Sequence, residues 1–89
     1  MRIKDGFVLR EIAGQIMVIA TGEASKDFHG MIKLNETGRD IFVALQEKCS
    51  EDEIITRLQA KYEIDREKAA EDTKAFLVQM KDAGFLADE

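Results

Sequence analysis

The sequence has 89 residues and a formal net charge of −5, a size that suits one domain burying roughly 60–65% of its unfolded surface. No apolar run reaches the ~18–20 residues that cross a bilayer, and the charged N-terminus lacks the apolar region of a secretory signal. A single cysteine has no internal partner for a disulfide, which is typical of a reducing compartment. These features predict one cytoplasmic domain over residues 1–89 with no membrane segment.

Two runs rich in β-forming residues open the chain. They cover about residues 7–13 and 15–21 and are separated by Gly14, a pattern that predicts an antiparallel hairpin. The second run is apolar on both alternating faces, which is typical of a central strand. If Ile16 and Val18 face the core, Met17 and Ile19 lie on the opposite face of the sheet. There they must either be tolerated in contact with solvent or be covered by a partner.

A polar segment bracketed by glycines, from Gly22 to Gly30, predicts a loop that carries Phe28. The next residues, 31–34, predict a short third strand antiparallel to the second. The chain then turns at once into a helix, because Asn35 is a strong N-cap residue.

Three helices are predicted over about residues 35–47, 51–62 and 66–83, each behind a capping residue. Gly38, in the first turn of the first helix, costs up to ~1 kcal/mol relative to alanine, so its presence predicts close packing there. Gly84 predicts the end of the third helix, with Phe85 or Leu86 folding back on the last turn. The caps are Asn35, Ser50 (in a capping box with Glu53) and Asp65.

The fold class is therefore α+β, with a three-stranded antiparallel sheet followed by three helices that cover one sheet face. The last two helices, joined by a tight turn near residues 64–65, are similar to a helix-turn-helix. The whole arrangement is predicted to be winged helix-turn-helix-like.

Catalysis by this chain alone is not expected. A nucleophilic dyad would need Cys49 and His29, which lie in separate connecting segments without a third residue to orient them. One histidine and one cysteine do not supply a zinc site. Gly22 and Gly30 match neither common phosphate-binding spacing. We expect no enzymatic activity, no metal and no cofactor.

A winged-helix regulator of transcription is an alternative that the predicted elements allow. Binding to DNA needs a basic surface that displaces counterions from phosphates. Residues 63–89, which contain the third helix, carry four basic and eight acidic side chains, a balance of −4. This charge disfavours nucleic acid as a partner.

Peptide binding is favoured by the open edge of a small sheet, because an edge strand presents unpaired amides and carbonyls to which a guest strand can add. On the third helix, Ala69, Asp72 and Thr73 are small or polar positions that leave room and hydrogen-bonding capacity for such a guest. For the larger apolar positions, a place in the core is the alternative to peptide binding. These positions are Ile32, Leu34, Phe76 and Leu77.

One run resembles the signature of the family of coenzyme PQQ synthesis protein D: Phe28-x-Gly30-Met31-Ile32-x-Leu34-Asn35-x-Thr37-Gly38-x-x-Ile41-Phe42. The similarity covers the chain from about Gly6 to Leu86. Weaker matches follow at Ser50-x-x-Glu53-Ile54, Leu58, Tyr62, Asp72-x-x-x-Phe76-Leu77 and Gly84-Phe85-Leu86.

This resemblance implies a peptide-recognition domain for ribosomally made, modified peptides. Such a domain binds the leader of a precursor peptide as an added strand between the third strand and the third helix. It then presents the peptide to a radical S-adenosylmethionine enzyme. Carried onto this chain, one side of the groove is Met31, Ile32, Lys33 and Leu34, and the other is Ala69, Asp72, Thr73 and Phe76. Lys33 either pairs with an acidic leader or is a solvated strand lysine.

The sequence also departs from the family pattern. Phe42 stands where tryptophan is common, and His29 where asparagine is common. Members of the quinone pathway tend to have Ser-Ala where this chain has Thr37-Gly38, and they carry prolines that it lacks. The pattern indicates the broader set of stand-alone members. A small interaction domain without a peptide ligand, dimeric through the open sheet face, remains a further alternative.

Overall fold

The computed structural model describes residues 2–22 and 31–87, so most of the predicted loop, with Phe28 and His29, lies outside the described residues. Within those ranges the order of elements is strands, helices and a last short strand. The strands are β1 (Arg2–Ile3), β2 (Phe7–Ile12), β3 (Gln15–Ala20), β4 (Met31–Leu34) and β5 (Leu86–Ala87). The helices are α1 (Glu36–Gln46), α2 (Glu51–Tyr62) and α3 (Arg66–Asp82).

Strands β2, β3 and β4 form an antiparallel sheet in that order, with β3 in the centre. A two-residue turn joins β2 to β3, and both of its residues have positive φ, 51° at Ala13 and 80° at Gly14. Such a turn matches the right-handed twist of the two strands. The predicted three-stranded antiparallel sheet followed by three helices is confirmed.

The two faces of this sheet differ in burial. Val18 is fully buried and Leu34 nearly so, and Ile32 packs against the same core from β4. Met17 and Ile19 alternate with the inward residues of β3 and lie on the outer face, where they are half-exposed. The helices therefore cover one face of the sheet and leave the other without a helical layer among the described residues.

Each helix begins at the predicted cap. The Asn35 side chain accepts from the Gly38 amide, and the Asp65 side chain accepts from the Lys68 amide. Ser50 and Glu53 form the full capping box, in which each side chain accepts from the other residue's amide. None of the helices in the described ranges is both long and apolar enough to span a bilayer.

The end of α3 brings the two ends of the described chain together. Gly84 has φ of 83° and the Phe85 amide donates to the Met80 carbonyl at 2.8 Å, which completes a Schellman motif. The next residues form β5, which pairs antiparallel with β1. The sequence did not predict this second sheet. Phe85, which directly precedes β5, stacks its ring on that of Phe7, the first residue of β2, with the ring centroids 4.1 Å apart.

The core lies between the sheet and the helices. Its fully buried large side chains come from every helix as well as from β3 and from Phe85. The likeness to a winged helix-turn-helix and the assignment of one domain to residues 1–89 stay predictions. The largest side chains in the core are Phe42, Phe85, Ile41, Leu45, Ile54, Leu58, Met80 and Val18.

Candidate functional site

Strand β4 has an open edge. Within the described residues it pairs with β3 on one side and with no strand on the other. The strands nearest the two ends of the chain, β1 and β5, pair with each other instead. Neither of them therefore occupies the free edge of β4.

The junction of β4 with α1 lies directly against α3. A Cβ placed on Gly38 would be 3.2 Å from Cε2 of Phe76 and 3.5 Å from Cβ of Leu34. These distances are at or inside ordinary contact, so a larger residue at this position would displace a neighbour. The close packing predicted from Gly38 is confirmed, and it is the point where β4, α1 and α3 meet.

A groove of about 350 Å³ opens beside this contact, between the first turn of α1 and the exposed side of α3. Asn35, Thr37 and Gly38 line it from the junction. From α3 it is lined by Phe76 and by four more polar or small residues: Lys68, Asp72, Ala75 and Gln79.

The mouth of the groove carries an ion pair within α3. Nζ of Lys68 lies 3.0 Å from Oδ1 of Asp72, one helical turn further along. The hydrogen bond to Asp72 and its charge raise the pKa of the Lys68 ammonium. Lys33, on β4, is exposed and makes no ion pair with the part of the chain that the structure describes.

The predicted site residues separate into accessible and buried groups. Met31 is 54% exposed, whereas Leu34 is 6% exposed. Asp72 and Phe76 line the groove. The other predicted residues of α3 have no exposed surface: Ala69 and Thr73 are both 0% exposed, and the Thr73 hydroxyl donates to the Ala69 carbonyl at 2.8 Å. Ala69 and Thr73 therefore belong to the core and leave no room for a guest in this structure.

Sequence reasoning missed Lys68, Ala75 and Gln79 as groove residues. Together with Asp72 they follow helical spacing along one side of α3, because residues three or four apart share a face. That spacing could have predicted all three, because it places them on the same side of α3 as Asp72, which was predicted.

A second polar cluster joins α1 to α2. The Asp40 carboxylate accepts from the Tyr62 hydroxyl and from Nζ of Lys61, the latter at 3.0 Å. Burial raises the pKa of Asp40, but hydrogen bonds from Tyr62 and Lys61 and the charges of Lys61 and Arg39 outweigh it, so this pKa lies below its ordinary value. Burial, followed by the bond to Asp40, raises the pKa of Tyr62. These hydrogen bonds link α1 to α2.

Cys49, the single cysteine of the chain, follows α1. Its thiol is free and its side chain is 7% exposed within the hydrophobic core. Its amide donates to the Ala44 carbonyl at 3.0 Å, which holds the turn after α1. In residues 2–22 and 31–87 no three acidic, cysteine or histidine side chains are grouped so that they could hold a metal.

The fold is shared with solved structures of other proteins. The complex of TbiB1 with the TbiA(beta) leader peptide aligns with a TM-score of 0.77 and 23% identity, over 99% of this chain and 100% of that chain. A lasso peptide synthetase B1 complexed with the leader peptide aligns with a TM-score of 0.77 and 18% identity, over 98% of this chain and 96% of that chain. At these identities the similarity establishes the fold.

No curated protein matched the chain in sequence. A family model did match, over residues 16–86, which include the open edge strand and all three helices. The match confirms the resemblance noted from the run that follows Phe28. The chain belongs to the family of coenzyme PQQ synthesis protein D (PqqD).

Proposed function

We propose that this protein captures the leader of a ribosomally made precursor peptide, which adds as a strand to the free edge of β4. The observation that carries this proposal is the unpaired edge, left open because the terminal strands pair with each other. An edge strand offers its main-chain amides and carbonyls to an extended guest, and neighbouring pockets select its side chains. Two proteins of the same fold are known in complexes with leader peptides, which supports the same ligand here.

The proposed guest lies between β4 and α3. Residues Met31–Leu34 supply the main chain to which it pairs, and Asp72 and Phe76 supply side chains on the opposite side. The groove beside Gly38 has room for one or two side chains of the guest. Lys68, Ala75 and Gln79 join the predicted set, while Ala69 and Thr73 support the groove from inside the core.

We further propose that the chain performs no chemistry itself and hands the bound peptide to a separate radical S-adenosylmethionine enzyme. Cys49 supports the first part because its thiol is buried in the core. The partner enzyme rests on family membership alone. Action in the cytoplasm completes the proposal.

A titration tests this function. Short peptides encoded next to the gene are titrated into the full chain by calorimetry, and one of them is expected to bind with a Kd of micromolar or better, about −8 kcal/mol. In NMR spectra the amide shifts should cluster at residues 31–34 and along the groove side of α3. Shifts confined to α1 and α2 would contradict the proposed site.

Two matched variants locate the site. Ala75 and Lys74 are neighbours on α3 and both are exposed, but Ala75 lines the groove and Lys74 lies on the other side of the helix. Ala75→Trp is expected to weaken binding at least tenfold, and Lys74→Trp to leave it within about twofold, because an indole at Ala75 fills the groove. Equal affinities for the two variants would place the peptide elsewhere.

Methylation of the guest's own amides tests strand addition without altering the protein. In a strand every second amide points to the same neighbour. N-methyl groups introduced one at a time should therefore abolish binding at alternate positions. A uniform loss, or a loss with a period of three or four residues, would contradict an added strand.

A further inference from the structure

The outer face of the three-stranded sheet is organised in rows that run across the strands towards the free edge of β4. In the first row Val8 lies opposite Ile19, and Ile19 lies opposite Met31. All three are apolar, and Met31, the residue next to the free edge, is 54% exposed.

The adjacent row is cationic at both ends. Arg10 lies opposite Met17, and Met17 lies opposite Lys33. The Arg10 guanidinium donates to the Leu9 carbonyl at 3.1 Å. Among residues 2–22 and 31–87, no carboxylate forms an ion pair with either cation, although the chain has a net charge of −5. With respect to the described residues, Lys33 therefore presents an unneutralised charge beside the edge where a guest would add.

Side chains of neighbouring strands that lie directly opposite each other are in contact, and opposite charges stabilise such a pair. A fourth strand continues each row, because its side chains alternate between faces with the same period of two. The residue beside Met31 and the residue beside Lys33 are then two positions apart in the guest, whichever way its chain runs. The residue between them faces inward beside Ile32.

We infer that the guest carries an aspartate or glutamate beside Lys33, two positions from an apolar residue beside Met31, with an apolar residue between them. This inference rests on the proposed function and adds to it the chemical class of the bound segment. The acidic residue supplies the charge that Lys33 lacks within the described chain. The inward residue extends the apolar layer of Ile32 and Phe76.

A random peptide display library tests the register without knowledge of the precursor. Peptides are selected on the full wild-type chain, and those whose binding is lost in Ala75→Trp are sequenced. We expect them to share an acidic position two residues from an apolar one. Selection on Lys33→Glu should exchange the acidic position for lysine or arginine, because like charges placed opposite each other destabilise a strand pair.

Arg10→Glu is the matched control. It makes the same change of charge in the same row, but on β2, two strands away from the free edge, or about 10 Å. Selection on this variant should return the wild-type pattern. In one selected peptide, the acidic residue is then replaced by its amide. This change should weaken binding to the wild-type protein about two- to fivefold, and less at high salt. It should not weaken binding to the Lys33→Glu variant.

The outcomes separate the two proposals. Peptides that depend on Ala75 but share no acidic position would overturn the register while leaving strand capture intact. The register is also overturned if the acidic preference persists in Lys33→Glu or changes in Arg10→Glu. If no peptide depends on Ala75, the proposed function fails, and this inference fails with it.

Discussion

A side chain at Gly38 would meet the ring of Phe76, where the first helix begins and the last helix passes it. A Cβ on Gly38 would lie 3.2 Å from Cε2 of Phe76 and 3.2 Å from Oδ1 of Asn35, the atom that caps α1. The lack of a side chain at Gly38 therefore leaves room both for the Asn35 cap and for the ring of Phe76, which lines the groove. Its conformational cost within a helix is offset by the close approach that it permits.

Replacing Gly38 by valine should destabilise the fold by about 1–3 kcal/mol, because the branched side chain must push Phe76 or the cap aside. Gly38→Ala should cost less, since up to ~1 kcal/mol of helix propensity is regained. Urea denaturation measures both. Gln46→Val, at an exposed position of the same helix, is the control for propensity alone. If Gly38→Val and Gln46→Val lose equal stability, the close packing against Phe76 contributes nothing to the free energy of unfolding.

The free energy of unfolding should depend on pH through Asp40. Its pKa is lower in the folded protein than its ordinary value, so its contribution is fully present above the unfolded pKa and is lost as the pH falls through the folded pKa. Asp40→Asn should therefore be less stable than the wild type at pH 7, and the difference should shrink between about pH 4 and pH 2. Denaturation at a series of pH values measures it.

Glu11→Gln is the control for Asp40, because Glu11 is an exposed carboxylate on β2. Its effect on stability should be within about 0.5 kcal/mol at every pH. A difference between Asp40→Asn and the wild type that stays constant down to pH 2 would show that the carboxylate's charge is not what joins α1 to α2.

The hairpin turn between β2 and β3 is open to improvement. Ala13 has φ of 51°, a conformation that an L-residue with a Cβ adopts at a cost, whereas asparagine tolerates it. Ala13→Asn should create the Asn-Gly pair that this turn type favours and raise the free energy of unfolding by about 0.5–1 kcal/mol. Thermal denaturation measures the gain. Gly14→Ala, with a φ of 80° at that position, should change stability in the opposite direction.

Phe85 is expected to contribute as much stability as any side chain in the molecule. It is fully buried and stacks on Phe7, at a point where β1 and β5 begin to pair. Phe85→Ala should cost about 3–5 kcal/mol, a large share of the total for a domain of this size. Phe85→Leu should cost less because it keeps most of the volume. A loss below about 1 kcal/mol for Phe85→Ala, measured by urea denaturation, would contradict this packing.

Thr73 distinguishes a core role from a groove role. Its hydroxyl donates to the Ala69 carbonyl inside the protein, so Thr73→Val should leave peptide affinity unchanged within about twofold while changing stability by about 1 kcal/mol or less. Calorimetric titration with a bound peptide checks the first part. A tenfold loss of peptide affinity in a folded Thr73→Val variant would show that Thr73 takes part in peptide binding.

The parts of the fold that sequence predicted are those with local causes. Asn35, Ser50 and Asp65 each cap a helix through an amide three residues on, and Gly84 ends α3 through a bond to Lys81. Signals of this kind are contained in a few neighbouring residues. The edge strand 31–34 and its helix junction were predictable for the same reason.

The parts that sequence missed depend on contacts between distant residues. Each strand of the second sheet has two residues, too few to show a period, and the two lie at opposite ends of the described chain. The rotation of α3 about its own axis was also undetermined. It decides that Thr73 is buried while Ala75 is exposed, and it follows from packing against the other helices, which residue type alone does not show.

The pairing of β1 with β5 also bears on the order in which the protein is made and folded. Arg2 and Ile3 leave the ribosome well before the strand that receives them, which is synthesised after the last helix. The β2–β3 hairpin has only local pairings and can form early, whereas the pairing of β1 with β5 must come late. Until that closure, Ile3 stays without its partner strand, and the nascent chain is at its most vulnerable to association with others.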